Sequence, residues 1–518
     1  MKHSIKAALL CFIAFAVLLA GCTTSKNNTA QPDKKDEKRP LTIALPTEVK
    51  SMDLYAHNDF VTWMAVNNMY NTLLKRDAKG NISTDLAESY KKVNDTTWEF
   101  DLKKGIKFHN GTEMTAEDVK FSFERAVAEK TLGESVYYKS IKEVKIIDPY
   151  KVQFITDGPN PLFLSVIART SAAILPKKYI EEKGMDSFNQ QPVGTGPFKF
   201  VEWKKGSHLK LEPYEQYFEG AAKDWSQVVF RILPEGSTRV GELLTGGVDI
   251  IPSVGSNDWP RVKGNDKTEI VSGASNRVAF LVPKVTNPKS PMADLRVREA
   301  VELAIDKKLI IDKLLGGLGT TTRTRITPGN FGANPKLFNV AVYDEKRAKE
   351  LLKEAGYENG LELTMQSTTG RYAKDKEVTE MIVGMLAKVG IKVKLELLEF
   401  SVYEEIRKVN KVSDLHMVWL ANSNFDAFTM VSEHLTSVRS LTNLGLSSPE
   451  LEEILKKAEK NMNQGERDSQ YQMAQQVEAN QFLRLYLYLE HNSYGASKSV
   501  NFTPRLDEMY KVYEISKR

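Results

Sequence analysis

The chain has 518 residues, 41% of them hydrophobic and 27% charged, with a formal charge of only +5. It is long enough to build large cores in more than one domain, and too weakly basic to point to a nucleic-acid partner. Its two cysteines, Cys11 and Cys22, are too few for a disulfide framework or a cysteine-based metal centre.

Taken in chain order, residues 1–21 begin with Lys2 and Lys6, run through an apolar stretch from Ala7 to Ala20 and end in small residues. That is the layout of a secretory signal peptide, too short to be a comfortable membrane span. Leu19-Ala20-Gly21-Cys22 resembles the bacterial lipobox, in which the cysteine thiol takes a diacylglyceryl group and the chain is cut just before it. Cys22 is therefore expected to be the lipidated first residue of the mature chain, anchored at the extracytoplasmic face of the cell membrane. Loss of residues 1–21 would remove Cys11 and lower the formal charge by two. Residues 22–40 follow as a tether, because "TTSKNNTAQPDKKDEKRP" holds no apolar residue larger than alanine and cannot bury itself. No later apolar run reaches transmembrane length.

From Leu41 the signals are mixed α/β. "LTIAL" and Trp98 to Leu102 alternate at the strand period. After Gly105, Asn110-Gly111 marks a turn, and Thr115 with Asp118 three residues on marks a helix start with Val119, Phe123 and Ala126 on one face. Arg296 to Leu315 reads as one helix ended by Gly316-Gly317, and Tyr343 to Gly356 as another capped by Asp344. An alternating strand (Leu361, Leu363, Met365), a helix (Val378, Met381, Ile382, Met385) and a second strand (Ile391 to Leu397) predict a βαβ unit over residues 361–398. Helices near 449–461 and 467–483 precede the strand "LRLYLYLE".

Enzyme signatures are missing: no Gly-x-Ser-x-Gly elbow, no His-Glu-x-x-His pair, no phosphate-binding loop and no Gly-x-Gly-x-x-Gly. "GGLGTTTRT" sits at a helix end and reads as a cap and loop. The seven histidines show no metal-ligand spacing. Neither an enzyme nor a resident cofactor is expected.

The stretch "LAESYKKVNDTTWEFDLKKGIKFHNGTEMTAEDVKFSFERA", residues 86–126, resembles the signature region of the family 5 extracellular solute-binding proteins. These are the oligopeptide-, dipeptide-, nickel- and glutathione-binding components of ABC importers. "VGTGPFKF" (193–200), "LRVREAVELAIDKKLII" (295–311), "YDEKRAKELLKEAGY" (343–357) and "DKEVTEMIVGMLAKVGIKVKLELLEF" (375–400) fit the same family in the same order. The resemblance implies an α/β, periplasmic-binding-protein-like fold of the cluster C type, with two hinged lobes and an extra domain. The corresponding division is 41–83 with 192–273 and 492–518 as lobe 1, 84–191 as the extra domain, and 274–491 as lobe 2. It also implies a monomeric receptor that traps a solute between its lobes and docks on permease subunits with separate ATPases.

Site residues follow from the same resemblance. In peptide-binding members an acid three positions after a tryptophan receives the ligand's ammonium group. Here Trp419 is followed by Asn422, which lacks the charge, and Asp426 is either its substitute or a structural residue. An arginine after a strand meets the ligand's carboxylate in dipeptide-binding members, which places Arg371, with Tyr372 beside it, at that point. Its guanidinium fork suits a carboxylate, and the competing reading is an ordinary surface arginine. Trp419, Tyr55 and Trp63 are aromatic candidates for the cleft wall, each also open to a core reading. Arg439 and Asn443 lie in a loop that touches ligand in family members. His434 and His491 are weak candidates for contacts to a metal chelate. The expected ligand bears a carboxylate and lacks the usual free amine. A nickel-type chelate receptor and a peptide-signal receptor without transport are the alternatives.

Overall fold

The strand Leu41–Leu45 forms where five apolar or β-branched residues follow the polar tether, and four of them are buried. It pairs in parallel with Val228–Ile232 and Ile250–Pro252 near one end of an eleven-stranded sheet. This computed structural model describes residues 38–437 and 448–518, of which Arg39 onward pack as a compact unit. Cys22, Arg439 and Asn443 lie outside the described residues.

From Leu41–Leu45 the sheet runs one way through Val228–Ile232 and His208–Pro213 to Phe198–Lys204. The other way it crosses Ile250–Pro252, then the long strands Leu485–Ser497 and Thr268–Pro283, then Leu415–Ala421 and Leu361–Thr368, to an edge at Ile391–Leu398. The two long strands have 13 and 16 residues and pair with each other antiparallel. At one end Leu485–Ser497 pairs with Ile250–Pro252, and at the other Thr268–Pro283 pairs with Leu415–Ala421.

Two large hydrophobic cores lie at the two ends of these strands. One holds Leu41, Phe100, Phe123, Trp225 and Tyr510, and the other holds Val301, Met365, Ile382, Trp419 and Leu487. The first extends under a separate four-stranded antiparallel sheet, ordered Ala87–Asn94, Thr97–Leu102, Lys151–Thr156, Ile141–Asp148. The helix Ala116–Ala128 packs on it with Val119, Phe123 and Ala126 fully buried, and Thr115 and Asp118 form a capping box at its start.

The βαβ unit is present as Leu361–Thr368, Asp375–Lys388 and Ile391–Leu398, the strands parallel and in register from Leu361↔Ile391 to Thr368↔Leu398. One expectation needs correcting. Arg296 to Leu315 is two helices, Leu295–Ala304 and Lys307–Leu314. Ile305 turns extended, and Asp306 starts the second helix by accepting the Leu309 N–H at 2.9 Å. An aspartate that caps a new helix outcompetes an unbroken apolar stripe. Among the described residues no helix is long and apolar enough to cross a membrane.

Candidate binding cleft

The ladder between the two long strands is interrupted between Ala274 and Val278. Within that irregularity Asn276 lines a cavity between the two ends of the sheet, its amide bonded to the Asn422 carbonyl, Asn330 and Thr327. Segments distant in sequence meet there: Phe60 and Trp63 from the helix Phe60–Val66, Arg169, residues 421–425 after the strand Leu415–Ala421, and residues 506–509 near the C-terminus. A larger cavity of about 230 Å³ adjoins it, sharing Arg169, Ser423, Phe425 and Asp507.

Arg169 in the cavity wall pairs tightly with Glu134 at 2.6 Å, whereas Arg277, Glu490 and Arg371, which are outside that wall, are more loosely placed. Arg277 Nε is 3.8 Å from Glu490 Oε2. Burial pushes the Glu490 carboxyl up to about 7, against the opposing pull of Arg277. The Arg277 guanidinium lies 5.7 Å from the Tyr372 ring, and Tyr372 stacks on Trp419 with centroids 4.8 Å apart and planes at 18°. Arg371 lies 4.8 Å from the Phe400 ring.

The turn carrying Arg371 is held by one carboxylate. Asp375 accepts the backbone N–H groups of Gly370 (2.9 Å), Arg371 (3.0 Å) and Tyr372 (3.3 Å) and the Thr368 hydroxyl (2.9 Å). A buried acid so placed fixes the backbone and leaves the guanidinium exposed, with no ion-pair partner among the described residues.

The other residues singled out in the sequence are dispersed. Trp63 lines the cleft, its indole N–H donating to the Leu54 carbonyl at 3.2 Å. Trp419 is buried behind Tyr372, which presents the accessible face. Tyr55 is a core residue, fully buried and donating its hydroxyl to the Ala173 carbonyl at 3.0 Å. Asn422 touches the cavity, but its side chain is already used. Nδ2 donates to Asn330 Oδ1 at 2.8 Å and to the Asp426 carbonyl at 3.1 Å, while Oδ1 accepts the Asn424 N–H at 3.3 Å. Asp426 caps the helix Ala427–Val431 and pairs with Arg467 at 2.7 Å, a structural arrangement rather than a substitute amine anchor.

The histidines also have internal partners. His434 is buried and bonded to Glu478 at 2.9 Å and Arg484 at 3.0 Å. Nε2 of His491 meets Thr320 at 3.0 Å. Among the described residues no group of three potential metal ligands occurs, so neither histidine belongs to such a cluster. Reading the sequence missed Arg169, Asn276, Arg277 and Glu490. Of these, only Glu490 carried a local signal, as the charged residue that closes "LRLYLYLE".

Two lobes bridged by long strands, with a polar and aromatic cavity where the strands cross, define a solute-binding protein. The sequence profile described as bacterial extracellular solute-binding proteins, family 5 Middle, matches residues 81–440, and the chain belongs to that family. It is 27% identical to the oligopeptide-binding protein AppA of Bacillus subtilis, over 98% of this chain and 96% of that one. It is 28% identical to the dipeptide-binding protein of Escherichia coli, over 68% and 71% of the two chains. HbpA2 from Haemophilus parasuis shares the fold, with a TM-score of 0.82 at 23% identity, over 93% of this chain and all of that one.

Proposed function

We propose that this chain is the membrane-tethered receptor of an ABC importer, capturing a small carboxylate-bearing solute between its lobes and handing it to a permease whose ATPases are separate chains. Residues 41–83, 192–273 and 492–518 make lobe 1, 84–191 the extra domain and 274–491 lobe 2. The lipid on Cys22 keeps the receptor beside its partner, and the receptor acts as a monomer without catalysis.

One observation carries the reading: five distant segments converge on a single cavity where two strands pass between the cores. Its wall pairs the aromatic Trp63 with polar groups and surrounds about 40 Å³ of space, and it opens toward the adjoining cavity of about 230 Å³ that shares Arg169, Ser423 and Phe425. Arg371, held by Asp375 and lacking a carboxylate partner among the described residues, is assigned to the ligand's carboxylate. The position of the peptide-binders' ammonium acceptor is held by an amide already used within the protein, which supports a ligand without that free amine.

The test is native mass spectrometry of the gently purified full-length chain, followed by identification of the co-purified compound. An acid lacking a free amine is expected, and Arg371→Ala should weaken its binding about tenfold or more, the value of a charge-assisted hydrogen bond. Recovery of ordinary peptides would overturn the ligand class, and unchanged binding would remove Arg371 from the site. In the same preparation Cys22→Ser should move the protein from the membrane to the soluble fraction.

A further inference from the structure

Three cavities meet at one side chain. Phe425 lines the cleft cavity of about 40 Å³, the adjoining one of about 230 Å³ and a third of about 480 Å³. Among the described residues it is the only one that the cleft cavity and the third have in common, and Arg76 is the only other that the second and third share. The third cavity lies where the four-stranded sheet faces residues 329–331 and 461–467, and Tyr90, Trp98, Phe331 and Met462 give it apolar walls.

The ring of Phe425 is held in an unusual position. The residue is 6% exposed and its φ is 56°, a left-handed backbone that bulky residues avoid. Its neighbours pin it on both sides. The Asn424 carbonyl accepts from Arg76 at 3.0 Å and the Asn424 side chain accepts from Arg169. The Phe425 carbonyl accepts the Phe331 N–H at 2.9 Å, and Asp426 is bound by Arg467 at 2.7 Å. The Arg76 guanidinium lies 4.7 Å from the ring centroid. Gly80 leaves the room that the ring needs, since an added Cβ there would stand 2.9 Å from a ring carbon. A strained residue whose flanking groups are all bonded persists because the surroundings over-determine it, so the ring is a fixed wall.

We infer that Phe425 is a specificity-determining residue: its ring, backed by Arg76, closes the cleft off from the third cavity and sets how far the captured solute extends from its carboxylate. This rests on the proposed carboxylate contact at Arg371. In that reading the solute's other end points to Asn422, which lines the cleft cavity together with Phe425. A chain lengthened at that end meets the ring, and apolar walls able to bury it lie only on the ring's far side.

Isothermal titration of the purified full-length chain with N-acetyl-, N-hexanoyl- and N-octanoyl-alanine tests the partition. Wild type should bind the acetyl compound tightest and the octanoyl compound about tenfold or more weaker. Phe425→Gly suits the positive φ and removes the ring. It should reverse the order, the octanoyl compound gaining about tenfold or more from the chain buried beyond the ring's position. Phe425→Leu, a milder truncation, should shift the order the same way and covers a failure of the glycine variant to fold. Phe425→Tyr, which puts a ring back, should restore the wild-type order. The same order in wild type and in both truncations overturns the partition, as does a wild type that already prefers the octanoyl compound. Arg371→Ala separates the two readings. If it abolishes N-acetylalanine binding while the truncations leave the length order unchanged, the carboxylate contact stands and the partition falls. If no compound binds wild type or either truncation, both fall.

Discussion

Glu490 shows at the scale of one residue how the fold changes a side chain's chemistry. Its carboxyl lies 3.8 Å from Arg277, and burial pushes it from 4.5 up to about 7. The folded form therefore holds its proton more tightly than the unfolded chain does. This contribution is full below the unfolded value of 4.5 and is lost as pH rises toward about 7. The loss amounts to about 3 kcal/mol across that window. Melting temperatures measured from pH 4.5 to 7.5 should fall more steeply for wild type than for Glu490→Gln, and parallel curves would show that Glu490 titrates normally. Other residue roles were legible only in part. Arg371 was singled out by the resemblance to dipeptide-binding members, and the structure shows Asp375 holding the turn that carries it. The burial of Tyr55 and the enclosed amide of Asn422 could not be read, because both depend on partners far along the chain, Ala173 for the one and Asn330 for the other.

At the scale of elements, local signals carried most of the information. The capping box at Thr115, the Asp344 cap and the βαβ unit of residues 361–398 stand where composition and spacing put them, because each helix and strand in them is decided within about a dozen residues. The break at Asp306 is not legible in the spacing, since the cap there interrupts an otherwise continuous helical stripe. The glycines of "VGTGPFKF" could be seen in the sequence, but not the chain they pack against. Gly196 lies against the chain at residues 68–70, and an added Cβ would meet Met69 C at 2.4 Å and Tyr70 N at 2.5 Å. Both are backbone atoms that no rotamer change can move. Gly196→Ala is expected to cost about 3 kcal/mol or more. Urea unfolding monitored by tryptophan fluorescence measures it, and a shift worth less than about 1 kcal/mol would mean that the loop re-forms elsewhere.

Across the whole molecule, Arg169 joins parts of the chain that are distant in sequence. It pairs with the fully buried Glu134 at 2.6 Å, covers the Tyr137 ring at 3.6 Å, and donates to Asn424 and, at 3.5 Å, to Ser423 on the far side of the cleft. Arg169→Met leaves the Glu134 carboxylate buried without its partner and removes the contact across the cleft. The expected cost is about 3–5 kcal/mol, read by chemical denaturation, together with a larger radius of gyration in small-angle scattering. Wild-type dimensions would show that other contacts alone keep the lobes together.

By itself the sequence determined the family, through five ordered stretches that resemble it, and the α/β class with several of its helices and strands, because hydrophobic period, caps and turn residues act over short distances. It also carried the expectation of a lipid anchor at Cys22. Only the tertiary structure decided which side chains face the cleft and which charges find which partners. Arg76, Arg169, Arg277, Glu490 and Lys511 are spread over more than 400 positions, and each looks like a solvated surface charge until folding removes the water and assigns the partners. A residue's charge is a local property; whether that charge is paired is a property of the whole fold.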